Sequence, residues 1–145
     1  MRAAEGGHLR QDLEQRLATL TGFRDAIVGG TAVELDIADG AALDALFAAH
    51  RIDAVLHFAS FIAVGESVTA PGKYYQNNVG ATLSLLQAMV RAGVQQFIFS
   101  STAAVYGIPV NDTIVETDIL KPVNPYGWSK LFDEQIIMDT AAAHG

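Results

Sequence analysis

Tyr126 and Lys130 stand four residues apart in the stretch NPYGWSK (124–130), a spacing that puts both on one face if the segment is helical. A phenol titrates near ~10 and is a poor base at neutral pH unless nearby positive charge favours its ionised form. The Lys130 ammonium is such a charge, or it reaches past the ring to a ligand. The same spacing arises by chance on many helices, so the neighbouring residues must carry the argument. FIFSSTAAVYG (97–107) ends an apolar run with three consecutive hydroxyls, Ser100, Ser101 and Thr102. One of them could pass a proton between a substrate oxygen and Tyr126, or they could satisfy backbone groups in a turn. VLHFAS (55–60) ends in small residues, either for close packing or for approach of a flat ligand to the backbone. In YYQNNV (74–79), Asn77 or Asn78 fits a helix N-cap. Asp36 could accept a hydrogen bond from a ligand amine or end its strand in a turn.

The elements that must position these residues are legible around them. Asn124 and Pro125 make an N-cap and first-turn pair for a helix that carries the tyrosine and lysine on through LFDEQIIMDTAAA. NVGATLSLLQAMVRAGV (78–94) reads as a helix with Leu83, Leu86 and Val90 in register and Gly93 as its C-cap. DGAALDALFAAH (39–50) reads as another, capped by Asp39, with Leu43, Leu46 and Phe47 on one face. RIDAVLHFAS (51–60) and QQFIFSS (95–101) are nearly continuous apolar runs, as expected of strands buried on both faces of a parallel sheet. TAVELDI (31–37) is a shorter strand, and Leu9, Leu13, Leu17 and Leu20 line an earlier helix that stops at Gly22. The β-α-β-α-β alternation, without hairpin signals or repeats, predicts an α/β fold with a doubly wound parallel sheet. Ligands of such sheets sit at the carboxyl ends of the strands. Here those ends are Asp36-Ile37, Phe58-Ala59-Ser60 and Ser100-Ser101-Thr102.

Composition bounds the chemistry further. The 145 residues, 50% hydrophobic, suffice for one core and not for two ordinary domains, so 1–145 reads as a single domain. Sixteen acidic residues against nine basic ones give a charge of -7 with no basic run, so neither nucleic acid nor an anionic membrane is an expected partner. The absence of cysteine excludes disulfides and thiolate chemistry. The four histidines lack ligand spacing, and no metal site is expected. No apolar stretch reaches the roughly 18 residues of a membrane span, and Met1 is not followed by an apolar signal core. A soluble, cytoplasmic protein is the expectation.

Taken in order, DIAD, HFASFIAVGESV, YYQNNV, FIFSSTAAVYG and NPYGWSK resemble the extended short-chain dehydrogenase/reductases, from about Leu9 onward. The AVGESV, YYQNNV and FSSTAAVYG blocks are most similar to those of the UDP-glucose 4-epimerases. The resemblance implies a Rossmann-like NAD domain and the interconversion of UDP-glucose and UDP-galactose through a 4-keto sugar. It implies that Tyr126 takes the proton of the sugar 4-hydroxyl while hydride passes between C4 and NAD. Lys130 would hold the nicotinamide ribose and depress the tyrosine pKa, and Thr102 would contact the substrate and relay the proton. Asp36 and Ile37 would meet the adenine, Phe58, Ala59 and Ser60 line the cofactor, Asn77 bind it, and Ser100 lie beside the nicotinamide. A homodimer through the helices starting near Tyr74 and Asn124 is implied as well. The similar 4,6-dehydratases carry an Asp-Glu pair after the threonine, where this chain has Ala103 and Ala104, which favours epimerisation.

The chain also departs from that pattern. The family's opening strand, G-x-x-G-x-x-G turn and helix, whose N-terminus holds the pyrophosphate, have no counterpart. IVGGT (27–31) and EGGH (5–8) read as turns. Ile62 stands where the epimerases usually carry a cofactor-contacting lysine. The expectation is therefore a partial domain that lacks the first strands and the separate substrate domain. Two alternatives stay open: a non-catalytic dimerising remnant, and a related nucleotide-sugar dehydratase or reductase.

Overall fold

A computed structural model describes residues 35–110 and 112–145. The leucine-lined helix at Leu9–Leu20, the two glycine-pair turns and most of the strand expected at 31–37 lie outside them. Of that strand's end, Leu35 and Asp36 are not in strand conformation and Ile37 begins a turn.

Helix α1 spans Gly40–Ala49, and Asp39 caps it as expected, its Oδ1 accepting from the Ala41 and Ala42 amides at 3.0 Å each. Strand β1 (Ala54–His57) follows, then the short helices α2 (Val64–Thr69) and α3 (Pro71–Tyr74). A π-helical turn at Tyr75–Gly80 joins α3 to α4 (Ala81–Ala92), so the expected helix starts several residues earlier than its sequence pattern indicates. Neither Asn77 nor Asn78 is a cap, because both lie inside this continuous helical path, whose amides are already paired. Gly93 ends α4 with a left-handed φ of 72°, as its position predicts.

Strand β2 (Gln96–Phe99) runs parallel to β1 with His57 opposite Phe99, and the Ser100 amide extends the ladder to the His57 carbonyl at 3.2 Å. A 3₁₀ turn covers Ala103–Tyr106, and α5 (Pro125–His144) closes the chain. Asn124 caps α5, its Oδ1 accepting from the Gly127 amide at 2.8 Å.

Leu43 of α1, Leu85, Ala88 and Met89 of α4, with Phe47, Val55, Val94 and Phe97 packed on them, form the core. Each fully buried leucine contributes about 2 kcal/mol. The buried stripe of α4 is Ala81, Thr82, Leu85, Leu86, Ala88 and Met89, while Leu83 and Val90 face outward. The three-and-four spacing of Leu83, Leu86 and Val90 therefore misplaces the face. Ala88 lies against α1, beside Phe47 and Ala48, and small Ala81 and Ala88 carry less apolar signal than the leucines beside them. The strands are also less enclosed than a doubly buried pair: Ile98 is 49% exposed, because side chains alternate along β2 and only the Phe97 and Phe99 side is packed.

Candidate active site

The tyrosine-lysine helix is delivered to the end of β2 by a close contact. A Cβ on Gly127 would stand 2.8 Å from the Ala104 carbonyl oxygen and 3.1 Å from Pro122 Cβ. Only a glycine lets the first turn of α5 press against the 3₁₀ turn that Thr102 opens. Tyr126 precedes that glycine and Thr102 precedes that turn, and both are half buried. Thr102 Oγ1 accepts from the Ala104 amide at 3.2 Å, which leaves its own proton available to donate. Ser101 donates to the Glu134 carboxylate, and Ser100 is exposed at the strand end. Of the two expectations for the hydroxyl cluster, Thr102 meets the backbone one by capping a turn, while Ser101 is bonded to α5 and Ser100 is exposed.

Lys130 points inward. It is 3% exposed, its Nζ donates to Ser60 Oγ at 3.1 Å and lies 4.0 Å from the centre of the Phe99 ring. Burial holds its pKa below the usual lysine value, and the charges of Asp133 and Glu134 oppose that shift. His57, stacked on Phe99 and Phe97, is buried too, and its Nε2 meets Thr82 Oγ1 at 3.0 Å. Its pKa is lowered by burial and then by Lys130.

Asp133 is fully buried one turn beyond Lys130. Burial pushes its carboxyl up to about 7 against the pull of Lys130. Thr82 faces it and weakly favours the ionised form, yet neither carboxyl oxygen attains hydrogen-bond geometry with a partner among the described residues.

The remaining expected residues gather in two places. Ile37, Phe58 and Ala59 line a mostly apolar cavity of about 360 Å³ at the end of β1, with Leu43, Leu46 and His57. Asp36 is not in that wall; its Oδ1 accepts from the Ala38 amide at 2.9 Å, the turn role open to it in the sequence. Asn77 is half buried and donates to Asn78 Oδ1 at 3.0 Å.

Asn78 is a positioning residue that the sequence reading misplaced. Its Oδ1 accepts from the Phe61 amide at 2.8 Å, and its Nδ2 donates to the Phe61 carbonyl at 3.1 Å and to Ser129 Oγ at 3.0 Å. Ser129 in turn donates to the Tyr126 carbonyl at 2.8 Å. One buried amide thereby fixes the loop after β1 against the first turn of α5. Asn78→Ala leaves the Phe61 backbone groups without these partners and should cost about 2–3 kcal/mol, read as a lower denaturant midpoint at unchanged slope. A loss under about 0.5 kcal/mol would show that the clamp carries little energy. Asn78 and Asp133 both had a sequence signal: an Asn pair inside a helical run, and an acid seven residues beyond Tyr126 and three beyond Lys130, on their own stripe.

A family model described as GDP-mannose 4,6 dehydratase matches residues 13–145. The chain is 50% identical over 125 residues to a UDP-glucose 4-epimerase of Azospirillum brasilense, covering 86% of this chain and 36% of that one. The solved UDP-glucose 4-epimerase from Brucella ovis in complex with NAD superimposes with a TM-score of 0.78 at 46% identity, over 80% of this chain and 36% of its own. That from Bifidobacterium longum, in complex with NAD+ and UDP, gives 0.75 at 44%, over 82% and 36%. The chain thus spans a little over a third of the length of the relatives it matches, and over that span it has their Rossmann-like α/β fold.

Proposed function

The chain belongs to the GDP-mannose 4,6-dehydratase family, and from that membership we propose that it carries the catalytic residues of an NAD-dependent UDP-glucose 4-epimerase, interconverting UDP-glucose and UDP-galactose. The observation that supports the reading is the close packing of Gly127, next to Tyr126, on Ala104 of the 3₁₀ turn that Thr102 opens, together with the burial of Lys130 one turn further along α5. The identity to named epimerases supports the same activity.

The residues present fit a dinucleotide in part. The apolar cavity of Ile37, Phe58 and Ala59 suits a flat ring, and Lys130 with Ser60 suits a ribose. Asp36, Asn77 and Ser100 complete the proposed cofactor contacts. The sequence has no glycine-rich turn for the pyrophosphate, so the affinity of this chain rests on those contacts. When bound, NAD supplies the acceptor and donor of hydride at the sugar C4. Tyr126 takes the 4-hydroxyl proton and returns it, Thr102 donates a hydrogen bond to the same oxygen, and Lys130 holds the cofactor ribose. Ala103 and Ala104 supply no acid or base for chemistry beyond C4, which favours epimerisation over dehydration.

We also place a homodimer and a cytoplasmic location within the proposal. Tyr75, Trp128 and Phe132 form an aromatic cluster across the π-turn and α5, with Trp128 and Phe132 38% and 44% exposed, which supports the dimer. Among the described residues no helix is long and apolar enough to cross a membrane.

Calorimetric titration of NAD into the chain tests the cofactor assignment, with sedimentation of the same sample reading its oligomeric state. Saturable binding is expected, weakened about tenfold by Lys130→Met through loss of the buried charged donor. Absence of binding by a folded chain overturns the NAD assignment, and an unaltered affinity in the variant overturns the role of the lysine.

A further inference from the structure

Asp133 has no part in the proton and cofactor contacts assigned above, yet it is a fully buried carboxyl whose two oxygens find no hydrogen bond among the described residues. A buried polar group left in that state calls for a physical reason. Its surroundings supply one. Lys130 lies three residues earlier on the same helical stripe, and its ammonium is buried against a neutral hydroxyl and a ring face, Ser60 and Phe99. Glu134, the other acid beside it on α5, is bonded to Ser101. From α4 the Thr82 hydroxyl faces Asp133, and behind Thr82 stands His57 of β1. The interior of the site therefore holds one amine, one carboxyl and one imidazole, linked through Thr82 and Phe99.

We propose that Asp133 is a positioning residue that sets the charge of Lys130: an internal counter-ion, sealed from solvent, whose ionisation decides how firmly the lysine keeps its proton. This deepens the reading of Lys130 in the proposed site and rests on it, since the lysine serves there as a cation. With Asp133 ionised, the ammonium has a full opposite charge one turn away in the core. With Asp133 protonated or replaced, burial acts on the lysine with only Glu134 to oppose it.

The test reads the lysine itself and does not depend on catalysis. The sequence has three lysines, Lys73, Lys121 and Lys130, so the Cε signals of ¹³C-lysine-labelled protein are few, and Lys130→Met identifies the one of interest. In Asp133→Asn the Lys130 signal should titrate about one pH unit lower than in the parent, a tenfold change in its acid dissociation constant. An unchanged midpoint overturns the proposal and leaves Asp133 a packing residue. Should the variant fail to fold, the parent decides: ¹³C-aspartate labelling follows the Asp133 carboxyl, and its titration must move the Lys130 and His57 signals in step. A carboxyl that titrates without moving them overturns the coupling. NAD titration of the same samples keeps the two readings apart, because absent NAD binding with a shifted lysine sinks the function proposed and not the coupling.

Discussion

If the proposed function holds, Tyr126→Phe is expected to lower the interconversion of UDP-galactose and UDP-glucose by about 10³-fold while leaving NAD affinity within about twofold. The substitution removes one oxygen from a half-buried ring at the start of α5 and leaves the helix cap, the Gly127 contact and the inward course of Lys130 in place. What is lost is the group to which the proposed function assigns the proton of the sugar 4-hydroxyl, and general base catalysis contributes roughly 10²–10⁴-fold. In the proposed mechanism Thr102 would remain beside the substrate oxygen without a basic partner to pass the proton to. The assay is a coupled measurement of UDP-glucose formed from UDP-galactose, with NAD binding measured in parallel. Turnover retained within tenfold of the parent would remove Tyr126 as the base. A matching loss of NAD affinity would instead assign the tyrosine to cofactor binding.

The second large effect is on stability and comes from Asp133. Its carboxyl is pushed up to about 7 by burial, against an ordinary value of 3.8. A group that binds its proton more tightly in the folded chain than in the unfolded one stabilises the fold fully below its unfolded pKa, and that contribution is lost as pH rises through the folded value. The contribution of Asp133 is therefore complete near about pH 3, declines across roughly pH 4 to 7 and is absent above. Three pKa units correspond to on the order of 4 kcal/mol. His57 acts in the opposite sense, since its lowered pKa gives stability that is present above the usual histidine value and lost as pH falls. Both the parent and Asp133→Asn retain His57, so the difference between their pH profiles reads the carboxyl together with its coupling to its neighbours. Denaturant unfolding at about pH 4 and about pH 8 should show the parent losing on the order of 4 kcal/mol more than the variant over that interval. Parallel profiles would mean that the carboxyl is already solvated in the folded chain.

The sequence by itself marked where helices start and stop and named the residues to which the proposed function gives a role. Asp39, Gly93, Asn124 and Pro125 mark helix ends through their own amides, oxygens and ring, an interaction that spans a few residues and so is written in the order of the chain. The Tyr126–Lys130 spacing and the hydroxyls after β2 are local in the same way, and the linked motifs identified the family. The tertiary structure decided which side of α4 is buried, because Ala81, Thr82 and Ala88 are small or polar and their burial depends on what packs against them. It decided that Asn78 ties the loop after β1 to Ser129 of α5, across 51 positions of sequence, and is no cap. It decided also that Lys130 lies in the core on Ser60, 70 positions away, with Asp133 behind it. Burial and charge coupling depend on distances between segments remote in sequence, and those distances exist only once the chain has folded.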